Sequence, residues 1–226
     1  HSCHSMTIDE CHCLPAESAQ LVAKNIPNAR YRWGFSATPW RGDGKDILIN
    51  AATGPRIVDI DASYLIENKY LVPPHIFFLK TPALGISTNN QGQYQVVYKN
   101  FIVQNQARND LIIKKAIEAY ERFEHILILV QQIEHGKILL EQLESQGIWA
   151  EYISGSDSII ARQETIESFR TRTRAVLIGS SVLDEGVDIP EITVLINASG
   201  GKSSAKYYQK IGRCIRPYED KKRAIV

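Results

Sequence analysis

The sequence predicts an α/β fold built on a parallel sheet covered on both faces, and three observations lead there. From about Arg108 onward, short runs that are apolar on both faces alternate with segments whose apolar residues recur at helical spacing. The apolar runs are strand-sized: residues 126–130 form one of the longest, far below the roughly 18 residues that span a bilayer. The composition, 44% hydrophobic and 23% charged, is that of an ordinary folded domain. The 226 residues leave room for one large domain or two modest ones, at about 100–200 residues each.

Taken in order, residues 1–72 contain a short apolar entry at Met6 and Ile8 and a second apolar run at 34–37. That is too little for an independent core, so this part reads as the second half of a domain. The double proline Pro73-Pro74 ends it. Residues 73–107 read as a linker and entry, with a polar surface loop around Asn89-Asn90-Gln91-Gly92-Gln93. Residues 108–226 read as one complete α/β domain. Leu111, Ile112, Ala116, Ile117 and Tyr120 predict a helix capped by Asn109 or Asp110. A strand follows at 125–131, and Ile138, Leu139 and Leu143 predict a helix that stops at Gly147. Then come a strand at 149–153, a helix at 162–169, strands at 175–179 and 192–197, a helix at 203–211 and a last strand from 224. Such sheets place their ligand loops at the carboxyl ends of the strands.

Charge and cysteine content narrow the class. Lys plus Arg number 26 against 25 Asp plus Glu, a net charge of +1, which excludes a polybasic tail protein and an acidic disordered one. Nucleic-acid contacts would have to come from local patches. Cys3, Cys11 and Cys13 interleave with His1, His4 and His12 but lack the paired spacing of a structural zinc site; Cys214 stands apart. No signal-peptide pattern opens these residues, and no run is apolar enough for a membrane. Sparse thiols fit a reducing compartment: the expected setting is cytoplasmic, or nucleoid or nuclear.

Four stretches carry chemistry. In Ile8-Asp9-Glu10-Cys11-His12, two adjacent carboxylates at a strand end can divide labour, one holding a metal at nucleotide phosphates and one orienting the attacking water. Alone, such a pair is most often a solvated turn. Gly34-Phe35-Ser36-Ala37-Thr38-Pro39 is an apolar strand ending in hydroxyls. Val182-Leu183-Asp184-Glu185-Gly186-Val187-Asp188-Ile189-Pro190 follows the 175–179 strand; Gly186 permits close approach, and Asp188 can accept bonds from a sugar hydroxyl. Just before it, Ser180 and Ser181 can hydrogen-bond a phosphate. In Gln209-Lys210-Ile211-Gly212-Arg213-Cys214-Ile215-Arg216-Pro217, the two arginines lie three apart and are expected on one helical face. Paired guanidiniums suit the charge of a transferred phosphoryl group, although such a pair alone is more often a salt-bridged surface.

Together and in this order, these stretches resemble motifs II, III, V and VI of the superfamily 2 helicases, the DExH-box nucleic-acid-dependent ATPases. Residues 125–136 resemble motif IV, and Ile153-Ser154-Gly155 with Arg162 and Phe169 resembles the segment between IV and V. The wording Ser-Ala-Thr-Pro-Trp-Arg and Glu-Gly-Val-Asp-Ile-Pro is most similar to the XPB-like and UvsW-like branch. The resemblance implies RecA-like P-loop NTPase lobes with parallel sheets, the first incomplete and the second complete, using ATP and Mg2+. It implies that Asp9 contacts magnesium through water and Glu10 activates the attacking water. His12, Ser36 and Thr38 would couple nucleotide state to strand binding. Gly186, Asp188 and Gln209 would approach the nucleotide, and Arg213 and Arg216 would be arginine fingers. Ser180, Ser181 and Gly155 would face the nucleic-acid strand, which is DNA, with RNA as the other class. Ser180 stands where a threonine is usual and keeps the hydroxyl; Cys11 is an accepted variant at its position.

A Walker A loop, G-x-x-x-x-G-K-[ST], precedes the DExH box in this family, and only eight residues do so here. One stretch imitates it, Ile196-Asn197-Ala198-Ser199-Gly200-Gly201-Lys202-Ser203, but Ile196 replaces the first glycine. The expectation is a helicase or translocase segment that needs an upstream Walker A half as partner and hydrolyses little ATP alone. A non-catalytic helicase-like binding module and the motor part of a restriction enzyme are the rival readings. Arg41, Lys45 and Lys202 are further candidates for backbone contacts to the strand.

Overall fold

The computed structural model describes residues 3–39, 43–81, 94–122, 124–180, 189–200 and 204–226, with the backbone alone for 204–206. The chain divides into two compact units, His1–Tyr64 with Ser203–Gln209, and Leu65–Lys202 with Lys210–Val226.

In the first unit, β1 (Ser5–Ile8) and β2 (Tyr31–Gly34) pair in parallel, Ser5 opposite Tyr31 and Ile8 opposite Gly34. The second strand thus ends where the sequence pattern has it begin, because the pairing follows β1 and not the apolar run. Helix α1 (Glu17–Lys24) connects the strands, α2 (Asp46–Thr53) follows, and α3 (Ala62–Glu67) crosses the boundary between the units. A small core of Met6, Cys11, Leu14, Ala23, Ala29 and Ile49 holds the unit together. Arg32 ties the end of α1 to β2 by donating to the carbonyls of Ala23, Ile26 and Ala29. These carbonyls belong to the end of a helix and the turn after it, where a cation is favoured. A side chain at Gly34 would meet Cys11 Cβ and Thr53 Cγ2 at 3.1 Å, which explains the glycine.

The second unit is a six-stranded sheet whose neighbours are all parallel, in the order β3-β8-β7-β4-β6-β5. The strands are β3 (Pro74–His75), β4 (His125–Leu129), β5 (Ala150–Ile153), β6 (Ala175–Gly179), β7 (Val194–Asn197) and β8 (Ala224–Ile225). The helices are α4 (Tyr94–Tyr98), which runs into a π turn at Lys99–Val103, α5 (Gln106–Tyr120), α6 (Ile133–Ser145), α7 (Ile159–Arg170) and, from Lys210 on, the end of α8 (Ser204–Cys214), whose start belongs to the first unit. Every residue of β6, and every residue of β4 after His125, is buried, as a parallel sheet covered on both faces requires. Ile126, Ile128, Leu139, Leu143, Val176 and Ile178 fill one side of the core, and Phe169 is fully buried. The chain passes from β4 toward β5 and returns through β6 to the far side of β4 at β7. This topological switch makes the carboxyl ends of β4, β6 and β7 the natural ligand edge.

Several element starts differ from the sequence pattern. Helix α5 is capped by Asn105, whose side chain accepts from Arg108 N at 3.1 Å, and not by Asn109 or Asp110. Asn109 is instead buried, donating to Val103 O at 2.9 Å. Helix α7 starts at Ile159 with Ser158 as its cap, and α6 starts at Ile133. Pro74 and His75, inside the stretch read as a linker, form an edge strand on β8; Phe77 N extends it by donating to Val226 O at 2.7 Å. Among the described residues no helix is long and apolar enough to cross a membrane.

Candidate active site

The carboxyl end of β1 exposes two carboxylates. Asp9 Oδ1 accepts from Glu10 N at 2.8 Å, and Glu10 itself stands in the left-handed region at φ 48°, ψ 49°. An L-residue held there costs about 1–2 kcal/mol relative to ordinary backbone, so the neighbourhood must impose it. The constraint is visible: Phe35 N donates to Ile8 O and Cys11 N donates to Phe35 O, both at 2.9 Å. The loops after β1 and β2 are thereby laced together, with Cys11 buried beneath them. Burial pushes the Cys11 thiol up from its ordinary value, so it is held as a thiol and not as a thiolate ligand. All four cysteines are free, and no group of three metal-ligating side chains converges among the described residues.

His12 lies at the centre of this unit's polar contacts. Its Nδ1 is 3.1 Å from Glu10 Oε2 and 3.0 Å from Ser36 Oγ, and its Nε2 is 3.4 Å from Gln209 Nε2, which belongs to the same unit. With a proton placed on Nδ1, the three contacts are mutually consistent. Nδ1–H is shared between the carboxylate and the hydroxyl, and Nε2 accepts from the Gln209 amide. Ser36 Oγ also accepts from Thr38 N at 3.1 Å. Thr38 is buried, and its Oγ1 finds no partner among the described residues. Exposed carboxylate oxygens at a strand end suit Mg2+, a hard cation that keeps waters and takes one or two carboxylates besides phosphate oxygens.

In the second unit two of the predicted residues, Gly155 and Ser180, follow strands at the ligand edge. Gly155 is exposed in the turn after β5, which Asp157 closes by accepting from Ser154 N at 2.6 Å and Ser154 Oγ at 3.1 Å. Ser180 follows β6 directly and is buried, its N–H directed at Ile153 O. Ser181, Gly186 and Asp188 lie outside the described residues, as do Arg41 and Lys202. Lys45 is exposed at the start of α2. Arg213 belongs to the last turn of α8, but Arg216 lies beyond it. The helix expected to carry both arginines on one face stops at Cys214, and Arg216 lies past it, before Pro217, which disfavours helical backbone at the residue preceding it.

The Walker-like stretch has another use for its glycine. Gly200 N donates to Tyr98 Oη at 3.1 Å, and a Cβ there would meet the Tyr98 ring at 2.9 Å. Ser199 Oγ is 2.6 Å from Lys210 Nζ and donates to Asn197 Oδ1. These groups brace the loop between β7 and α8. Sequence reasoning also passed over His135. It is fully buried in α6, its Nε2 is 3.0 Å from Asn109 Oδ1, and desolvation, with Arg108 nearby, pushes its pKa down to about 4. Its position four residues before Leu139, on the buried stripe, was the available signal.

A sheet of parallel strands in this order, with buried central strands and alternating helices, is the RecA-like α/β arrangement. Residues 108–218 match the helicase conserved C-terminal domain family. The chain is 30% identical over 229 residues to a protein designated helicase 22 of Sulfolobus islandicus filamentous virus, covering 97% of this chain and 41% of that protein. It is 24% identical to the DNA 3'-5' translocase XPB2 of Sulfurisphaera tokodaii, covering 98% of this chain and 57% of that one. In fold it is similar to a fragment designated an HsdR subunit of a type I restriction enzyme from Vibrio vulnificus. The TM-score is 0.72 at 19% identity, over 98% of this chain and 43% of the other. The chain belongs to the superfamily 2 helicases. It spans 41% and 57% of the length of these two relatives.

Proposed function

We propose that these residues serve an ATP-dependent DNA translocase or helicase, in which nucleic-acid-stimulated ATP hydrolysis drives movement along a strand. The observation that carries this reading is the exposed Asp9–Glu10 pair, joined through the His12 ring to Ser36 and Gln209. A carboxylate meant only for a solvated turn needs neither the left-handed backbone nor a buried bracket of loops beneath it.

In this reading Asp9 holds magnesium through water; when bound, the metal neutralises charge on the phosphate oxygens. Glu10 orients the attacking water and takes up its proton. His12, wired to both Glu10 and Ser36, reports the state of that carboxylate to the hydroxyl loop carrying Thr38. Arg213 and Arg216 stabilise charge developing on the transferred phosphoryl group, with Gly186, Asp188 and Gln209 completing the nucleotide contacts. Gly155, Ser180 and Ser181 face the strand, whose phosphates supply most of the affinity.

Hydrolysis also needs backbone amides and a lysine around the phosphates, and no G-x-x-x-x-G-K-[ST] lies ahead of Asp9 in these residues. An upstream half bearing that loop is the required partner. Leu21, Val22, Trp33 and Phe35, all exposed in the first unit, give it apolar surface to cover. The test is Arg216→Ala in the longer helicase that carries these residues. Turnover should fall by about 10³ or more while strand binding stays within about twofold. Equal loss of both would make the arginine structural and overturn its assigned role.

A further inference from the structure

Helix α8 ends at Cys214 without a glycine cap, so its last carbonyls need partners from elsewhere. Ile215 O, just past the end, is taken by Val72 N at 2.8 Å. Cys214 O is taken by Lys221 Nζ at 2.6 Å. The same ammonium donates to Pro190 O at 3.0 Å and to Ile192 O at 2.5 Å. A lysine has three protons to donate and no acceptor, and here all three go to main-chain carbonyls. No carboxylate forms an ion pair with it among the described residues. What offsets the charge is the negative end of α8 and three carbonyl dipoles, with the Glu191 carboxylate contributing from nearby.

The acceptors come from two places that matter to the proposed mechanism. Cys214 lies between Arg213 and Arg216, while Pro190 and Ile192 directly follow the stretch holding Gly186 and Asp188. The second place is held from its other side as well, where Arg170 Nε meets Glu191 Oε1 at 3.3 Å. Lys221 therefore joins a fixed segment to a helix end that would otherwise fray next to two arginines.

We propose that Lys221 is a positioning residue for Arg213 and Arg216, setting where the end of α8 lies relative to the 190–192 segment. The inference rests on the arginine roles proposed above. Lys221 touches no reacting atom; it acts through the backbone on which the guanidiniums stand.

The test pairs Lys221→Met, which keeps an unbranched stem and removes the donors, with Arg216→Ala and the double variant in the longer helicase. Amide hydrogen exchange is read on the same proteins. Lys221→Met should lower kcat about tenfold with KM for ATP within about twofold, and should cost clearly less than tenfold in the Arg216→Ala background, where only Arg213 is left to misplace. Exchange at 211–216 should quicken about tenfold while Ile126–Leu129 stays protected. Lys221→Arg, which keeps the cation but offers a planar fork to three converging carbonyls, should fold and lie between wild type and Lys221→Met. Wild-type kcat in Lys221→Met, an equal further loss in the Arg216→Ala background, or exchange rising uniformly through the sheet would overturn the proposal. Full activity of Arg216→Ala would sink the arginine reading instead, while faster exchange at 211–216 would still report the tether.

Discussion

Glu10 stands in left-handed backbone because the loops after β1 and β2 are laced together around it, and the carboxylate it presents is the one assigned to the attacking water. Function and local stability therefore pull in opposite directions at this residue. Glu10→Gly should stabilise the first unit by about 0.5–1 kcal/mol in urea unfolding and abolish turnover; unchanged stability would mean that the backbone there is not strained. His135 offers a second test. Folded, its ring stays neutral down to about pH 4; unfolded, it takes up a proton near the ordinary 6.5. The unfolded state binds more protons between those values, so stability falls as pH drops through the window. Between pH 7 and pH 5 this group alone should remove about 2 kcal/mol, and His135→Gln should flatten the unfolding profile by that amount. That Asp9, Glu10 and Ser36 lie just past strands was legible in the sequence because they fall in ordered strings next to apolar runs. The place of Lys221 was not, since a lone lysine has no spacing to betray where its ammonium lies, and His135 showed only through its place four residues before Leu139 on the buried stripe.

At the scale of elements, the contact between α6 and β5 depends on one missing side chain. A Cβ at Gly136 would meet the Tyr152 ring, with Cε2 at 2.3 Å and Cδ2 at 2.8 Å. A ring held on the sheet cannot yield as a flexible chain end would, so Gly136→Ala should destabilise the second unit by about 1–3 kcal/mol despite its better helix propensity. A gain in denaturant midpoint would show that the tyrosine moves aside freely. Strands β4 and β6 were readable because burial on both faces leaves an unbroken apolar run. The start of α7 was not, because Ile159 and Ile160 are 67% and 68% exposed and fall outside the buried stripe that sets the period. Helix α8 was taken together with Arg216 because spacing alone cannot weigh a following proline.

For the whole molecule, a net charge of +1 means that the proposed strand binding would have to come from local contacts and not from the overall field. DNA affinity of the longer helicase should fall steeply as salt rises and vary little with sequence. A binding curve indifferent to salt would argue against backbone recognition. The family was legible because four short strings stand in a fixed order, each at the end of an apolar run. The pairing of Pro74 and His75 with a strand some 150 residues later was not, because edge pairing of two residues leaves no periodicity. The most direct measurement is DNA-stimulated ATP hydrolysis by the longer helicase carrying these residues, compared with its Glu10→Gln variant. Hydrolysis that DNA accelerates and that Glu10→Gln reduces by about 10² or more, with DNA binding retained, is the predicted result. Turnover in Glu10→Gln equal to that of the unaltered protein would contradict the assignment of this carboxylate and the function built on it.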